Sequence, residues 1–193
     1  MAKSSFQIEK FGNVRVMTLR SEDGTNRLTR ECVLSLTLEI DRLSKQTGPL
    51  VITGNHKFFS AGAELEEIAA LNGPAAYEFS KLGQALMAGI AEFPAPVFAA
   101  ISGYCMGGGL DLALACHRRI ASSNAVFGHR GAALGLITGW GGTQRLPRLI
   151  GKGRALQMFS AAEKLNAQQA LSIGLVDCIS EDPVGEALRR ASL

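Results

Sequence analysis

The chain has 193 residues, 47% of them hydrophobic and 19% charged, with a formal net charge of +3. That balance describes a globular chain, not a disordered one, long enough for one cored domain over residues 1–193. The charge is too weak, and its Lys and Arg too scattered, for nucleic acid to be a partner, and no apolar window reaches the length of a membrane span.

Two strands open the chain, Phe6-Gln7-Ile8-Glu9-Lys10 and Val14-Arg15-Val16-Met17-Thr18-Leu19, with Gly12-Asn13 between them as a hairpin turn. A polar loop over residues 21–26 leads to a helix over residues 29–45, with Val33, Leu36, Leu38, Ile40 and Leu43 as its apolar set. A short buried strand follows over 49–53, then a loop over 54–57. Small residues follow Phe58-Phe59, and Glu64 opens a helix to about Leu71. Gly73-Pro74 is read as a break, and a longer helix runs over 75–92 until Pro94 and Pro96 end it.

The strand Val97-Phe98-Ala99-Ala100-Ile101 feeds a glycine-dense turn, and Leu110, Leu112, Ala113, Leu114 and Ala115 continue as a buried helix. Gly107-Gly108-Gly109 strips side chains from a helix N-terminus, where backbone N–H groups point outward and partial positive charge collects. Such a turn can seat a developing oxyanion, and Asp111 lies in its first helical turn. The plainer reading makes the glycines turn chemistry and Asp111 a complement to the helix dipole.

Strands over 119–121 and 125–128 come next, then a glycine-rich apolar stretch over 130–142 that holds the only tryptophan, Trp140. Helices over 143–150, 153–161 and 167–173, a strand over 175–179 and a helix from Asp182 complete the pattern. No internal repeat is visible, and the alternation of strand and helix gives an α/β architecture.

Cys32, Cys105, Cys116 and Cys178 form no CxxC pair, and three histidines cannot complete a metal site. Free thiols and the lack of an apolar signal core in residues 1–10 point to the cytoplasm. A Cys105 nucleophile is weighed against a small core residue and set aside for want of a base. Neither glycine cluster has the spacing of a nucleotide loop.

Three blocks now carry a resemblance. Phe59-Ser60-Ala61-Gly62-Ala63-Glu64-Leu65, then Gly107-Gly108-Gly109-Leu110-Asp111-Leu112-Ala113, then Gly139-Trp140-Gly141-Gly142-Thr143-Gln144-Arg145-Leu146-Pro147 resemble the crotonase, or enoyl-CoA hydratase/isomerase, family. The resemblance implies a spiral of ββα repeats with two near-perpendicular sheets surrounded by helices. The C-terminal helical region is expected to be shortened, since little follows Val184 where the family carries further helices: either the chain is a short variant or part of the natural protein is missing. It implies an acyl-CoA thioester as ligand, homotrimers or hexamers, and no cofactor beyond the coenzyme A of the substrate.

Residue by residue, the resemblance puts the thioester carbonyl between the backbone N–H groups of Ala63 and Gly108, and proton transfer on Asp111. It puts Lys57, Ser60 and Ala61 beside the CoA adenine. Gly62, Leu65, Gly107, Gly131, Leu134, Gly139 and Trp140 complete its expected substrate contacts. The family's second catalytic glutamate falls on Gly131, which has no side chain. One carboxylate suffices for isomerisation through an enolate, so straight-chain hydration is expected to be slow. Installing the acid at Gly131 should raise it, unless a positive φ there strains the loop. His129 and Arg130 receive no role from the resemblance; His129 is weighed as a catalytic base against a structural histidine, and fast hydration would make it first in line for the second proton transfer. The alternatives are a one-carboxylate isomerase and a non-catalytic acyl-CoA-binding relative that has lost the chemistry.

Overall fold

In the computed structural model, which describes residues 5–192, the opening alternation folds as the hairpin that the pattern predicts. β1 (Phe6–Phe11) and β2 (Val14–Leu19) pair antiparallel, and Gly12 turns between them at a φ of +61°. The reading of the N-terminal segment falls partly on residues 1–4, outside the described residues.

From there the chain repeats one move. It lays a long strand into a six-stranded sheet, a short strand into a second sheet, and then a helix. β4 (Leu50–Thr53), β7 (Val97–Ile101) and β9 (Arg118–Ala121) extend β2 in parallel, and β12 (Cys178–Ile179) completes the order β1-β2-β4-β7-β9-β12. The short partners β5 (Phe58–Ser60), β8 (Tyr104–Met106) and β10 (Val126–Gly128) lie side by side in the second sheet, closed by β11 (Lys164–Asn166). A two-stranded pair joins β3 (Arg27–Leu28) to β6 (Gly62–Ala63).

The helices follow their apolar stripes. α1 (Arg30–Ser44) starts where Thr29 accepts from the Cys32 amide at 3.1 Å, and it buries Cys32, Val33, Leu36, Ile40 and Leu43. Leu38, expected in that set, is 72% exposed, because it falls on the opposite face from Leu36 and Ile40. α2 (Leu65–Ala69) is one short turn behind Glu64. Gly73-Pro74, read as a break, instead opens α3 (Gly73–Ala91). Asn72 caps it by accepting from the Ala75 amide at 3.0 Å, and a first-turn proline needs no N–H partner.

α4 (Gly108–Ala115) is buried on every side from Gly109 onward, which its lack of polar residues other than Asp111 foretells. α5 (Gly142–Ile150), α6 (Lys152–Ser160), α7 (Ala167–Ser172) and α8 (Pro183–Ala191) complete the fold. The expected strand over 175–179 pairs as a strand only at Cys178–Ile179, because the Leu175 and Val176 amides turn back to the Ala170 carbonyl, while the Asp177 carboxylate accepts from the Arg119 amide and the Arg118 guanidinium.

The main core fills the space between the sheets and α1, α3 and α4, with Phe59, Phe127, Leu86 and Ile101 fully buried. Each such side chain contributes about 1.5–3 kcal/mol through loss of water contact. A smaller cluster of Val14, Val16, Val51, Phe98 and Ile120 on the other face of the large sheet is covered by Ala187 of α8. The main core, through Phe59, Cys105 and Phe127, fixes the ends of β5, β8 and β10 around one cavity.

Candidate active site

The cavity has a volume of about 790 Å³ and opens beside the N-terminus of α4. Its wall on one side is β6 and the turn before α4, where it meets Ala61, Gly62, Ala63, Gly107 and Gly108. Gly107 turns at a φ of +51°, a conformation that favours glycine, while its amide donates to the Gly128 carbonyl at 2.9 Å. Gly108 is the first residue of the helix, so its N–H has no intrahelical acceptor. A Cβ on Gly108 would lie 3.2 Å from the Ala63 nitrogen, and one on Gly62 would lie 3.1 Å from the Gly108 nitrogen. The backbone of the two segments is therefore in close approach, and only glycine fits at both positions.

Trp140 closes this wall. Its indole N–H donates to the Phe79 carbonyl at 3.2 Å, and its ring lies against Gly108, where a Cβ would come within 2.6 Å of it. A Cβ on Gly83 of α3 would overlap the same ring. The ring is thus held between two helices by the absence of two side chains. The main chain of Gly139 is fixed by Gln84, whose amide donates to its carbonyl at 2.7 Å.

Asp111 is 1% exposed and lines the cavity one turn into α4. Its Oδ2 accepts from the Thr138 hydroxyl. Its Oδ1 faces the Nε2 of His129 at 3.3 Å, and the imidazole, 4% exposed, stacks on Phe159 with ring centroids 5.1 Å apart. Oδ1 and Nε2 are both buried without an aligned hydrogen-bond partner. The N-terminus of α5 abuts the same carboxylate, because a Cβ on Gly142 would overlap Oδ1. A carboxylate and an imidazole side by side on a largely apolar wall can take up and deliver protons at a bound ligand.

The remaining wall is apolar: Leu65 and Ile68 at α2, Phe79 of α3, and Leu136 and Ile137 after the 3₁₀ turn Gly131–Leu134. Tyr104 and Lys164 stand together on the wall, the ammonium 5.7 Å from the ring centroid.

The structure brings most of the expected site residues to this one cavity. Leu65, Asp111, Gly131, Leu134, Gly139 and Trp140 line it together with the five residues of the first wall. Lys57 and Ser60 do not. Lys57 is exposed, and its carbonyl accepts from the Tyr104 amide at 2.9 Å. Ser60 is fully buried, donates to the Asn26 carbonyl at 2.7 Å and accepts from the Gly62 amide at 3.1 Å, so it holds the shape of the first wall.

Matching over residues 9–191 is the family described as enoyl-CoA hydratase/isomerase. The chain belongs to the enoyl-CoA hydratase/isomerase family. It is 39% identical over 184 residues to a probable enoyl-CoA hydratase of Bacillus subtilis, covering 92% of this chain and 69% of that one. It is 38% identical over 180 residues to a crotonyl-CoA hydratase of Syntrophomonas wolfei, covering 92% of this chain and 69% of the relative. Among solved structures, Pseudomonas aeruginosa DspI superposes with a TM-score of 0.94 at 36% identity, over 98% of this chain and 80% of that one. An enoyl-CoA hydratase of Bacillus anthracis gives 0.92 at 32% identity, over 97% and 75%.

In this enzyme of the enoyl-CoA hydratase/isomerase family, residues 129–138 form the wall opposite Ala63 and Gly108. Gly131 lies in the 3₁₀ turn outside the left-handed φ region, so positive φ is not what restricts it. A Cβ there would stand 2.6 Å from the Leu136 carbonyl oxygen, and close approach is the restriction instead. Thr138 and the pairing of His129 with Asp111 were not assigned from sequence. Their one signal is position: His129 directly follows β10, which runs parallel to β8 and so ends level with the start of α4.

The Cys105 thiol is fully buried and pushed well above its usual range, chiefly by desolvation. It donates to the Gly109 carbonyl at 3.5 Å, which suits a core residue and not a nucleophile. His117 lies away from the cavity wall. Its Nδ1 accepts from the Val97 amide at 2.8 Å, which puts its proton on Nε2 toward the Ala91 carbonyl.

Proposed function

We propose that the cavity binds an enoyl-CoA thioester with its carbonyl oxygen between the N–H groups of Ala63 and Gly108. Negative charge that develops on that oxygen meets two backbone donors and a helix N-terminus, an arrangement that contributes about 2.7–4 kcal/mol per donor to such chemistry. The enolate then forms beside Asp111, which exchanges the proton at the α-carbon. The observation that carries this reading is the close approach of Ala63 and Gly108 within one turn of a buried carboxylate on the cavity wall.

The apolar wall suits the acyl chain, and no group beyond the coenzyme A of the substrate is called for. The hydratase names of the relatives at 37–39% identity favour addition of water as the reaction. A one-carboxylate isomerase is the second reading, favoured by Gly131. A role in fatty acid metabolism goes with an enoyl-CoA substrate, and the four free thiols accord with the cytoplasm. Among the described residues no helix is long and apolar enough to cross a membrane. Exposed Leu134, Ile137 and Leu156 around the cavity mouth suit assembly as a trimer or hexamer, which light scattering would test.

The function is tested by incubating the protein with crotonyl-CoA and with 3-enoyl-CoA esters. Loss of the conjugated absorbance of crotonyl-CoA reports hydration, and its appearance from a 3-enoyl ester reports isomerisation. Binding of both esters with neither change would overturn the proposal.

A further inference from the structure

We infer that His129 is a catalytic residue, the acceptor of the water proton in the hydration reaction, and that it hands that proton to Asp111. The inference rests on the proposed function and names a group that the family resemblance leaves without a role.

Gly131 can supply no acid, and the Leu136 carbonyl 2.6 Å from its Cβ position leaves no room for one. A second proton-transfer group must come from elsewhere on the wall. Among the described residues that line the cavity, the ionisable ones are Asp111, His129, Arg130, Lys164 and Tyr104. Arg130, Lys164 and Tyr104 are exposed. Only His129 is buried against Asp111, with Nε2 3.3 Å from Oδ1.

Both facing atoms lack an aligned partner, which is costly in a buried polar pair. Everything else around them is satisfied or apolar. Thr138 holds the other carboxylate oxygen, Phe159 backs the imidazole, and Gly142 leaves no side chain near either. Two unspent polar atoms on the wall of a substrate cavity are placed to act on what enters it.

The reaction then balances without another group. Water attacks the β-carbon, a C–O bond forms, and one water O–H bond breaks with its proton passing to Nε2. The C=C pair moves into the enolate, whose charge rests on the thioester oxygen. The proton crosses from Nε2 to Oδ1 and from there to the α-carbon, and the enolate collapses to the 3-hydroxyacyl thioester. His129 and Asp111 end in the states in which they began.

The test separates the two groups by two readouts. One is hydration of crotonyl-CoA; the other is exchange of the α-proton of butyryl-CoA with deuterium from solvent, which needs Asp111 but no attacking water. H129Q is expected to lose about 10²-fold or more in hydration while keeping exchange within a few-fold of the unsubstituted protein. Unchanged hydration in H129Q overturns the inference. So does equal loss of both readouts in a folded H129Q, which would make His129 a support for Asp111. Asp111→Asn losing neither would instead sink the underlying function.

If H129Q fails to fold, a structure of the unsubstituted protein with 3-hydroxybutyryl-CoA decides. The β-hydroxyl oxygen is expected within hydrogen-bond reach of Nε2. A hydroxyl held more than about 4 Å away overturns the inference.

Discussion

The two sides of the cavity are built by opposite means. Around Ala63 and Gly108 the wall is main chain, brought together because side chains are missing from Gly62, Gly108 and Gly83. Around His129 and Thr138 the wall is side chain, carried on a segment whose residues 132–137 are exposed. Asp111 stands at the seam and is touched from both sides. At Gly62 and Gly108 the first wall has no free space for a side chain, so its chemistry is fixed with its fold. The second can exchange one proton-carrying group for another, and here it presents an imidazole where the family resemblance places a carboxylate at Gly131.

The comparison breaks most severely at the seam. Asp111→Asn keeps the size of the side chain and can keep the Thr138 hydrogen bond, but it cannot carry a proton. Turnover should fall about 10³-fold with CoA-ester affinity unchanged, as kcat and KM measured separately would record. Unaltered turnover would leave Asp111 as a helix-dipole partner only.

Gly142→Ala comes next. Its Cβ would overlap Oδ1, so the carboxylate must turn away from His129. We expect about a 10²-fold loss of kcat, because misplacement of about 1 Å is enough for that. A crystal structure of the variant would show whether Oδ1 has moved.

On the backbone wall, Gly108→Ala should cost about 10-fold by pushing on Trp140 while leaving the N–H donor in place. Adding Trp140→Phe, which removes the outer ring atoms, should restore part of that activity. A double variant no better than the single one would show that the ring is not what Gly108 makes room for.

Gly131→Glu sharpens the contrast from the other side. The Leu136 carbonyl opposes any Cβ there, so the variant should lose about 1–3 kcal/mol of stability and gain no hydration. Thermal unfolding and the crotonyl-CoA assay check both parts, and a faster hydratase would mean that the loop yields easily. The smallest effect belongs to Leu134→Ala on the exposed turn, 57% open to solvent. Its stability should change by about 0.5 kcal/mol or less, and any change should appear in the acyl-chain preference measured across a series of enoyl-CoA esters.

Legibility follows the same division. The first wall could be read from sequence because glycine runs and a buried helix leave local marks, and Gly107-Gly108-Gly109 lies where it was expected. The ββα spiral left no repeat in the sequence, since each turn shares geometry and not side chains; only the family resemblance carried it. β8 was hidden inside the glycine-dense turn, being three residues long and lying between Gly103 and Gly107. Gly73-Pro74 misled because proline and glycine suit a helix start as well as a break. The pairing of His129 with Asp111 spans two strands of the small sheet and could not be seen without their register. Ser60 sits in a motif that reaches the cavity, yet its hydroxyl is taken by the Asn26 carbonyl and the Gly62 amide, and Lys57 lies on the exposed loop before that motif.

Trp140 has a use outside chemistry. It is the only indole in the chain, it is 3% exposed, and its ring lies on the residue proposed to donate to the thioester oxygen. A ligand that reaches Gly108 changes the field around that ring directly. The protein therefore carries its own optical reporter: intrinsic emission can follow occupancy of the cavity, in equilibrium titration and in stopped flow, with no label attached.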